Sequence, residues 1–145
     1  MTEFKNILVP TDFGESSNAA LEIAIDLARK YGATLNVVHT YDVPSYTYAA
    51  SASAVDLLGP VIEVARRDFD DTMKDIAGRS PNAKGFLRFG VPWQEILGVR
   101  EEVGADLIVM GTHGRKGAAH ALLGSVAEKI VRLSPVPVLT VHAAA

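Results

Sequence analysis

A glycine-rich segment late in the chain has the residue types and spacing that suit phosphate binding. It holds two glycines, a basic pair, and a glycine–serine pair at the start of a predicted helix: Gly111, Gly114, Arg115, Lys116 and Gly124–Ser125. Glycine allows tight turns and lets main-chain N–H groups approach a ligand closely. The unpaired N–H groups and the positive dipole end of a helix start favour an anion. Together with the two cationic side chains, these features predict a phosphate cradle.

Each part of this segment also has a purely structural interpretation. Ser125 and Glu128 have the spacing of a capping box, in which the serine hydroxyl satisfies an N–H group of its own helix. The basic pair could form a solvated loop face, and the two loop glycines could be simple turn glycines. The capping and phosphate roles of Ser125 overlap, because a helix-start hydroxyl can cap in the empty state and turn to phosphate when a ligand arrives.

An acidic residue, Asp12, follows the first apolar run of the sequence. Its carboxylate or main chain could bind the adenine amino group or ribose hydroxyls; the alternative is an Asx-turn or a surface acid that leads into the first helix. Ser16, Ser17 and Asn18 are better explained as N-cap candidates for that helix. Asp12 and His113 are the candidate bases near the cradle, and the sequence identifies no supporting partner for either.

Several other chemistries are excluded by composition and motif. The chain has no cysteine, so disulfides, thiolate catalysis and cysteine-ligated metal centres are impossible. It lacks a P-loop signature, a dinucleotide fingerprint after the first strand and a nucleophile elbow. His113 and His120 do not have the spacing of a standard metal pair. His39 ends an apolar run and is expected to be partly buried and hydrogen-bonded.

Length and composition indicate one globular domain. The chain has 145 residues, of which 48% are hydrophobic and 21% charged. Fourteen Lys and Arg residues against 17 Asp and Glu residues give a net charge of −3, which argues against a general nucleic-acid binder. No apolar run approaches the roughly 18 residues of a membrane span, and no signal peptide is visible. We therefore expect a soluble, cytoplasmic protein without membrane insertion.

Five short apolar runs predict β-strands, with helical apolar spacing between them. The strands are predicted at 7–9, 35–39, 85–89, 107–110 and 136–141, and the helical spacing recurs at 21–28, 58–76, 93–103 and 127–131. This alternation implies an α/β fold, with a mostly parallel sheet covered by helices on both faces. Pro92 suits the first turn of the third helix, where Trp93 is predicted to be a core residue. Pro137 cannot donate a ladder hydrogen bond, which predicts an edge strand or a bulge.

In such a sheet, ligands bind at the carboxyl ends of the strands, where the winding direction reverses. This rule points to the residues that follow the first and fourth runs, which include Asp12 and the glycine-rich segment. The stretch 42–56 is rich in Ser, Ala and Tyr and is longer than the usual connection. We interpret it as a flexible surface loop or as a lid over the site.

Four segments in the right order resemble the universal stress protein family. Three of them match the first strand and turn, the G-x-P start of the third helix and the last strand: Ile7–Asp12, Phe89–Pro92 with Glu95–Ile96, and Ser134–Leu139. The most specific is the glycine motif of the ATP-binding branch, G-x2-G-x9-G-[ST], formed by Gly111, Gly114 and Gly124–Ser125. The resemblance covers essentially the whole chain.

The resemblance implies a single domain over residues 1–145, a Rossmann-like three-layer αβα sandwich. Its five-stranded parallel sheet has the order 3-2-1-4-5 and holds ATP or a related adenine nucleotide such as ADP or AMP. The residues implied at the adenosine end are Pro10, Thr11, Asp12, Thr40, Met110 and Gly111. Of these, Thr40 lies just past the second predicted strand and meets the adenine through its backbone.

The phosphate end implied by the resemblance consists of Gly114, Arg115, Gly124, Ser125 and Val126. A divalent cation, Mg²⁺ or Mn²⁺, is often held among the phosphate oxygens, so no protein metal ligand is expected. The resemblance also implies a homodimer through the edge strand 136–141. The function implied is that of a nucleotide-binding regulatory module in the stress response, with a regulatory protein partner and with slow or no hydrolysis. The alternatives are a weak ATPase and a nucleotide-independent interaction protein of the same fold.

Overall fold

Five strands and four helices alternate along the chain in a computed structural model that describes residues 3–41, 52–113 and 123–143. In chain order, the elements are β1 (Asn6–Pro10), α1 (Glu15–Tyr31), β2 (Thr34–Tyr41), α2 (Ala52–Ala77), β3 (Lys84–Phe89), α3 (Pro92–Val103), β4 (Leu107–Gly111), α4 (Ser125–Leu133) and β5 (Val138–Val141). Every predicted strand and helix is present. None of the described helices has the length and hydropathy that a membrane span requires.

The strands form one parallel sheet in the order β3-β2-β1-β4-β5, as predicted. The central strand β1 pairs with β2 on one side and with β4 on the other, so that Ile7 is in register with both Leu35 and Leu107. The chain winds from β1 towards β3 in one direction and from β4 towards β5 in the other. The winding therefore reverses between β1 and β4, and the carboxyl ends of these two strands border the crevice in which such sheets bind ligands.

The core consists of two apolar layers, one on each face of the sheet. Successive side chains of a strand alternate between faces, so Ile7 and Val9 join one layer and Leu8 the other. The buried helical side chains of the first layer are Ala20, Leu21, Ala24, Ile25, Ala28, Phe69 and Ile76, and those of the second are Ile96, Val99, Ala127 and Ile130. This is the predicted three-layer arrangement. Trp93 packs against the second layer and is only half buried.

The capping of α1 and α4 differs from the predictions, although α4 begins at Ser125 as predicted. Gly14 is the N-cap of α1 and Gly124 the N-cap of α4, both with extended backbones and neither helix capped by a described side chain. The prediction of serine and asparagine caps at 16–18 was therefore wrong, as was the capping box. Ser125 is already the first helical residue, because the Gly124 carbonyl accepts a hydrogen bond from the Glu128 N–H at 2.9 Å.

The ends of β2, β5 and α2 also differ from the boundaries predicted from the sequence. Thr40 lies inside β2 rather than past it, because β2 continues its pairing with β3 as far as Tyr41. β5 is an edge strand, as predicted, but it begins one residue after Pro137. Residues 52–56 of the predicted loop belong to α2, and residues 42–51 lie outside the described residues.

An ion-pair cluster at the far end of the sheet joins α1 to α2. Arg79 donates two hydrogen bonds to the Glu22 carboxylate, at 2.8 and 2.7 Å, and one to Asp75 at 2.8 Å. The hydrogen bonds to Glu22, and then the one to Asp75, raise the pKa of Arg79 above its usual value. The guanidinium is therefore charged at neutral pH, where it binds both carboxylates.

Candidate functional site

A cavity of about 290 Å³ opens at the carboxyl ends of β1 and β4, where the winding reverses. Every predicted site residue that the structure describes lines this cavity: Pro10, Thr11, Asp12, Thr40, Met110, Gly111, Gly124, Ser125 and Val126. The two remaining predicted residues, Gly114 and Arg115, lie outside the described residues. The architecture therefore brings the first strand end, the fourth strand end and the start of α4 to one place.

The cavity also has an apolar wall that the sequence analysis did not identify. Val38 and Ile96 are buried side chains of this wall, and Pro92, the first residue of α3, lies beside them. The alternation of side chains along β2 and the helical repeat of α3 could have identified these wall residues from the sequence. Val38 shares a strand face with Thr40, two residues further on, and Ile96 lies one helical turn after Pro92. A planar, partly apolar group could pack against such a wall.

The turn between β1 and α1 is held by hydrogen bonds centred on Asp12. Its Oδ1 atom accepts hydrogen bonds from the Gly14 N–H at 2.9 Å and from the Ser17 hydroxyl at 2.7 Å. The Ser17 oxygen in turn accepts one from the Asp12 N–H at 3.2 Å. The Asx-turn interpretation of Asp12 is thus confirmed. Asp12 also lines the cavity, so the turn holds its carboxylate at the cavity wall.

The start of α4 is fixed to the end of β4. The Gly124 N–H donates a hydrogen bond of 2.6 Å to the Thr112 carbonyl, and Gly124, Ser125 and Val126 all line the cavity. The N–H groups of a first helical turn have no acceptor within the helix, and the positive dipole end adds to their attraction for an anion. Gly111 is not a turn glycine. It is the last residue of β4 and is paired with Val141.

Two histidines meet at one buried hydroxyl beside the cavity. The Thr112 side chain is fully buried, and its Oγ1 lies 3.0 Å from Nδ1 of His113 and 3.2 Å from Nδ1 of His142. A hydroxyl has one proton, so it can donate to only one of these two nitrogens. His113 lines the cavity, and Thr112 is the partner that the sequence could not identify for it. His39 is half buried and hydrogen-bonded, as predicted.

The cavity offers oxygen atoms as possible metal ligands, beside the imidazole of His113. Among the described residues, no group of three or more histidine or carboxylate side chains could hold a metal ion. Asp12 and Ser125 both line the cavity, and carboxylate and hydroxyl oxygens are hard donors of the kind that Mg²⁺ and Mn²⁺ prefer. These residues fit a cation that takes most of its ligands from phosphate oxygens and water.

Comparison with known proteins agrees with this architecture. The model of the Universal stress protein family matches residues 3–142. A universal stress protein of Methanocaldococcus jannaschii is 31% identical over 139 residues, which cover 95% of this chain and 82% of that protein. The solved universal stress protein UspA from Lactobacillus plantarum superimposes with a TM-score of 0.87 at 23% identity, over 97% of this chain and 99% of that one. A solved universal stress protein in complex with cAMP has a TM-score of 0.65 at 27% identity, over 99% of this chain and 100% of that one.

Proposed function

This chain belongs to the universal stress protein family, and on that premise we propose that it binds ATP or a related adenine nucleotide in the cavity at the ends of β1 and β4. The protein acts as a nucleotide-binding regulatory module in the stress response. Binding changes the surface that the protein offers to a second copy or to a regulatory partner. Because cellular ATP is concentrated in the cytoplasm, this is where we expect it to act.

The observation that carries the proposal is the convergence of three polar features on one cavity. The Asp12 carboxylate, the end of β4 at Gly111 and the first turn of α4 at Ser125 all line it. The first feature suits hydroxyl and amino groups, which donate hydrogen bonds, and the helix start suits an anion. A nucleotide has both kinds of group at opposite ends. The structure of a related protein in complex with cAMP supports an adenine nucleotide as the ligand class.

The orientation of the ligand follows from the two ends of the cavity. We place the adenosine at Pro10, Thr11, Asp12, Thr40 and Met110, with the base against the apolar wall formed by Val38 and Ile96. The phosphates extend past Gly111 to the start of α4, where Gly124 lets the backbone approach closely, and where Ser125 and Val126 bind them with main-chain N–H groups and the serine hydroxyl. From their positions in the glycine motif, we propose that Gly114 and Arg115 also bind the phosphates. A bound Mg²⁺ or Mn²⁺ would neutralise the phosphate charge and take most of its ligands from phosphate oxygens and water, with the Ser125 hydroxyl as a protein oxygen donor at this end.

We expect hydrolysis to be slow or absent. The sequence has no P-loop lysine to stabilise a transferring phosphoryl group. Asp12 already accepts two hydrogen bonds within its own turn, and Nδ1 of His113 already contacts Thr112. A weak ATPase is the second candidate. It is favoured by the contact of His113 with Thr112 on the cavity wall, because a base in an active site needs an orienting partner.

The most direct test is to extract the purified protein and identify released small molecules, and then to titrate the stripped protein with ATP by calorimetry. We expect an adenine nucleotide in the extract and saturable binding. Gly124→Val should abolish the binding, because a branched side chain would lie where the backbone approaches phosphate. Gly124 has φ −63° and ψ 162°, values that valine also adopts, so the variant should fold.

The matched control is Gly98→Val in α3, since a Cβ atom at Gly98 meets nothing within 4 Å. It should bind ATP as tightly as the wild type. An empty extract and no heat of binding would favour the nucleotide-independent interaction protein. Turnover of about 1 per second or faster by a contaminant-free preparation would favour the enzyme. Single-turnover assays of Asp12→Ala and His113→Ala would then identify the base.

A further inference from the structure

His39 lies directly behind the predicted adenosine end but does not line the cavity. Its neighbours in β2, Val38 and Thr40, point into the cavity. Because side chains alternate along a strand, His39 points to the opposite face of the sheet, where its ring lies near Phe13 and Phe69. Neither the cavity nor the proposed function accounts for this half-buried imidazole.

The imidazole is bonded to the backbone of the cavity wall. Nδ1 of His39 lies 2.8 Å from the carbonyl oxygen of Thr11. A carbonyl oxygen can only accept, so Nδ1 carries the proton and donates it. The N–H of Thr11 donates a hydrogen bond of 2.8 Å to the Val38 carbonyl. Both main-chain groups of Thr11 are therefore held by consecutive residues of β2, one through its backbone and one through its side chain.

The residue after Asp12 has a strained backbone that the same imidazole supports. Phe13 has φ +66°, the left-handed region that costs an ordinary residue about 1 kcal/mol or more. Its ring lies 4.4 Å from the His39 ring, measured between centroids, with the planes tilted by 45°. The Phe13 N–H donates to the Thr11 hydroxyl at 3.0 Å. The left-handed turn at Phe13 is what allows the chain to return to Gly14 and close the Asx-turn on Asp12.

We propose that His39 is a positioning residue for the ligand site. It holds Thr11 through its Nδ1–H and Phe13 through its ring, and so fixes Asp12, which lies between them, at the cavity wall. This inference rests on the proposed function for its ligand, but the contacts that carry it are within the protein. It predicts that a change at His39 acts on the adenosine end of the ligand and leaves the phosphate end unchanged.

The experiment compares two substitutions of His39. His39→Phe keeps an aromatic ring but removes the donor, whereas His39→Asn keeps an N–H group near the position of Nδ1. We expect His39→Phe to weaken ATP binding about tenfold, the size expected for a lost hydrogen bond. The affinity for inorganic triphosphate, measured by competition, should stay within about twofold of the wild type. His39→Asn should recover most of the ATP affinity.

A matched control separates positioning from general destabilisation. Phe4→Leu alters a ring pair with Tyr31 at the opposite end of the sheet and should lower stability without changing the ratio of the two affinities. Equal weakening of ATP and triphosphate by His39→Phe, or no weakening in a folded variant, would overturn the proposal. If His39→Phe does not fold, Phe13→Gly replaces it. Glycine adopts φ +66° without strain, so this substitution removes only the ring that contacts His39. The affinity for ATP should again fall, while the affinity for inorganic triphosphate stays unchanged.

A second readout needs no nucleotide and therefore separates this inference from the proposed function. In the ligand-free protein, the amide hydrogens of Phe13 and Gly14 are bonded within the turn. In His39→Phe we expect their exchange with solvent to become about tenfold faster, while that of the Val9 amide stays unchanged. Unchanged exchange at Phe13 and Gly14 would show that His39 does not hold the turn, whatever the wild type binds.

Discussion

Gly111, at the end of β4, lies so close to Ser16, in the first turn of α1, that a Cβ atom on Gly111 would be 2.5 Å from the Cβ of Ser16 and 2.6 Å from its carbonyl carbon. Atoms do not approach this closely without a shift, and one of the two belongs to the backbone. The glycine is therefore required by the packing of α1 on β4. Ser17, the next residue of α1, lines the cavity, as does Gly111 itself. The first glycine of the motif therefore helps to form the site by allowing α1 to pack closely on β4.

Gly111→Ala should destabilise the protein by about 1–3 kcal/mol, because the added methyl group overpacks the contact between β4 and α1. Urea unfolding measures the change. The control is Gly98→Ala in α3, where the new methyl group meets nothing within 4 Å, and where alanine should stabilise the helix by about 0.5–1 kcal/mol. Two glycine-to-alanine changes with effects of the same sign and size would contradict the packing argument.

Much of the fold could be predicted from the sequence because its signals are local. The apolar run at 107–110 is covered on both faces, as parallel strands are, and its lack of alternation identifies it. Gly32 ends α1 with φ +65°, which a glycine after a basic last turn indicates. The capping residues Gly14 and Gly124 were missed because serine is the usual N-cap. Here, the Ser17 side chain bonds to Asp12 instead.

The site residues that could be predicted are those that belong to a recognisable motif of neighbouring residues. The contact of Thr112 with His142 joins residues 30 positions apart, and that of Gly111 with Ser16 joins two elements that are distant in sequence. Such contacts depend on which strands pair and on how closely a helix packs on the sheet, and a single sequence carries no local pattern for either. The apolar wall at Val38 was missed for a different reason. Its residue type is ordinary for any buried strand.

Asp12→Ala should cost about 1–2 kcal/mol of stability, because the Gly14 N–H and the Ser17 hydroxyl both lose their acceptor. Asp12→Asn keeps an oxygen at the position of Oδ1 and can also form the Asx-turn, so its stability should stay within about 0.5 kcal/mol of the wild type. Chemical denaturation distinguishes the two. If Asp12→Asn lowers the stability as much as Asp12→Ala does, the negative charge of Asp12 holds the turn, and the explanation by the position of its oxygen atom is wrong.

Thr112→Val should destabilise the protein by about 1–2 kcal/mol, because a buried hydroxyl that contacts two imidazoles is lost without a change of shape. The ¹⁵N signals of both His113 and His142 should move, since the hydroxyl that donates to one Nδ1 atom and can accept from the other is lost. Thr72→Val, whose hydroxyl bonds only to the Asp68 carbonyl of its own helix among the described residues, serves as the control. A stability loss with both imidazole spectra unchanged would show that the hydroxyl does not link the two rings.

The family resemblance implies a homodimer through the edge strand β5, and the final prediction tests this interface. Leu139 is 40% exposed on this strand, and Val131 and Leu133 on the adjoining α4 are similarly exposed. An edge strand offers unpaired backbone groups to a second strand, and a charge placed on it opposes such pairing. We therefore expect sedimentation to show a dimer for the wild type and a monomer for Leu139→Arg. Val64→Arg on α2, where the side chain is 55% exposed, should leave the dimer intact. A monomeric wild type, or a dimer that Val64→Arg disrupts and Leu139→Arg does not, would move the interface away from β5.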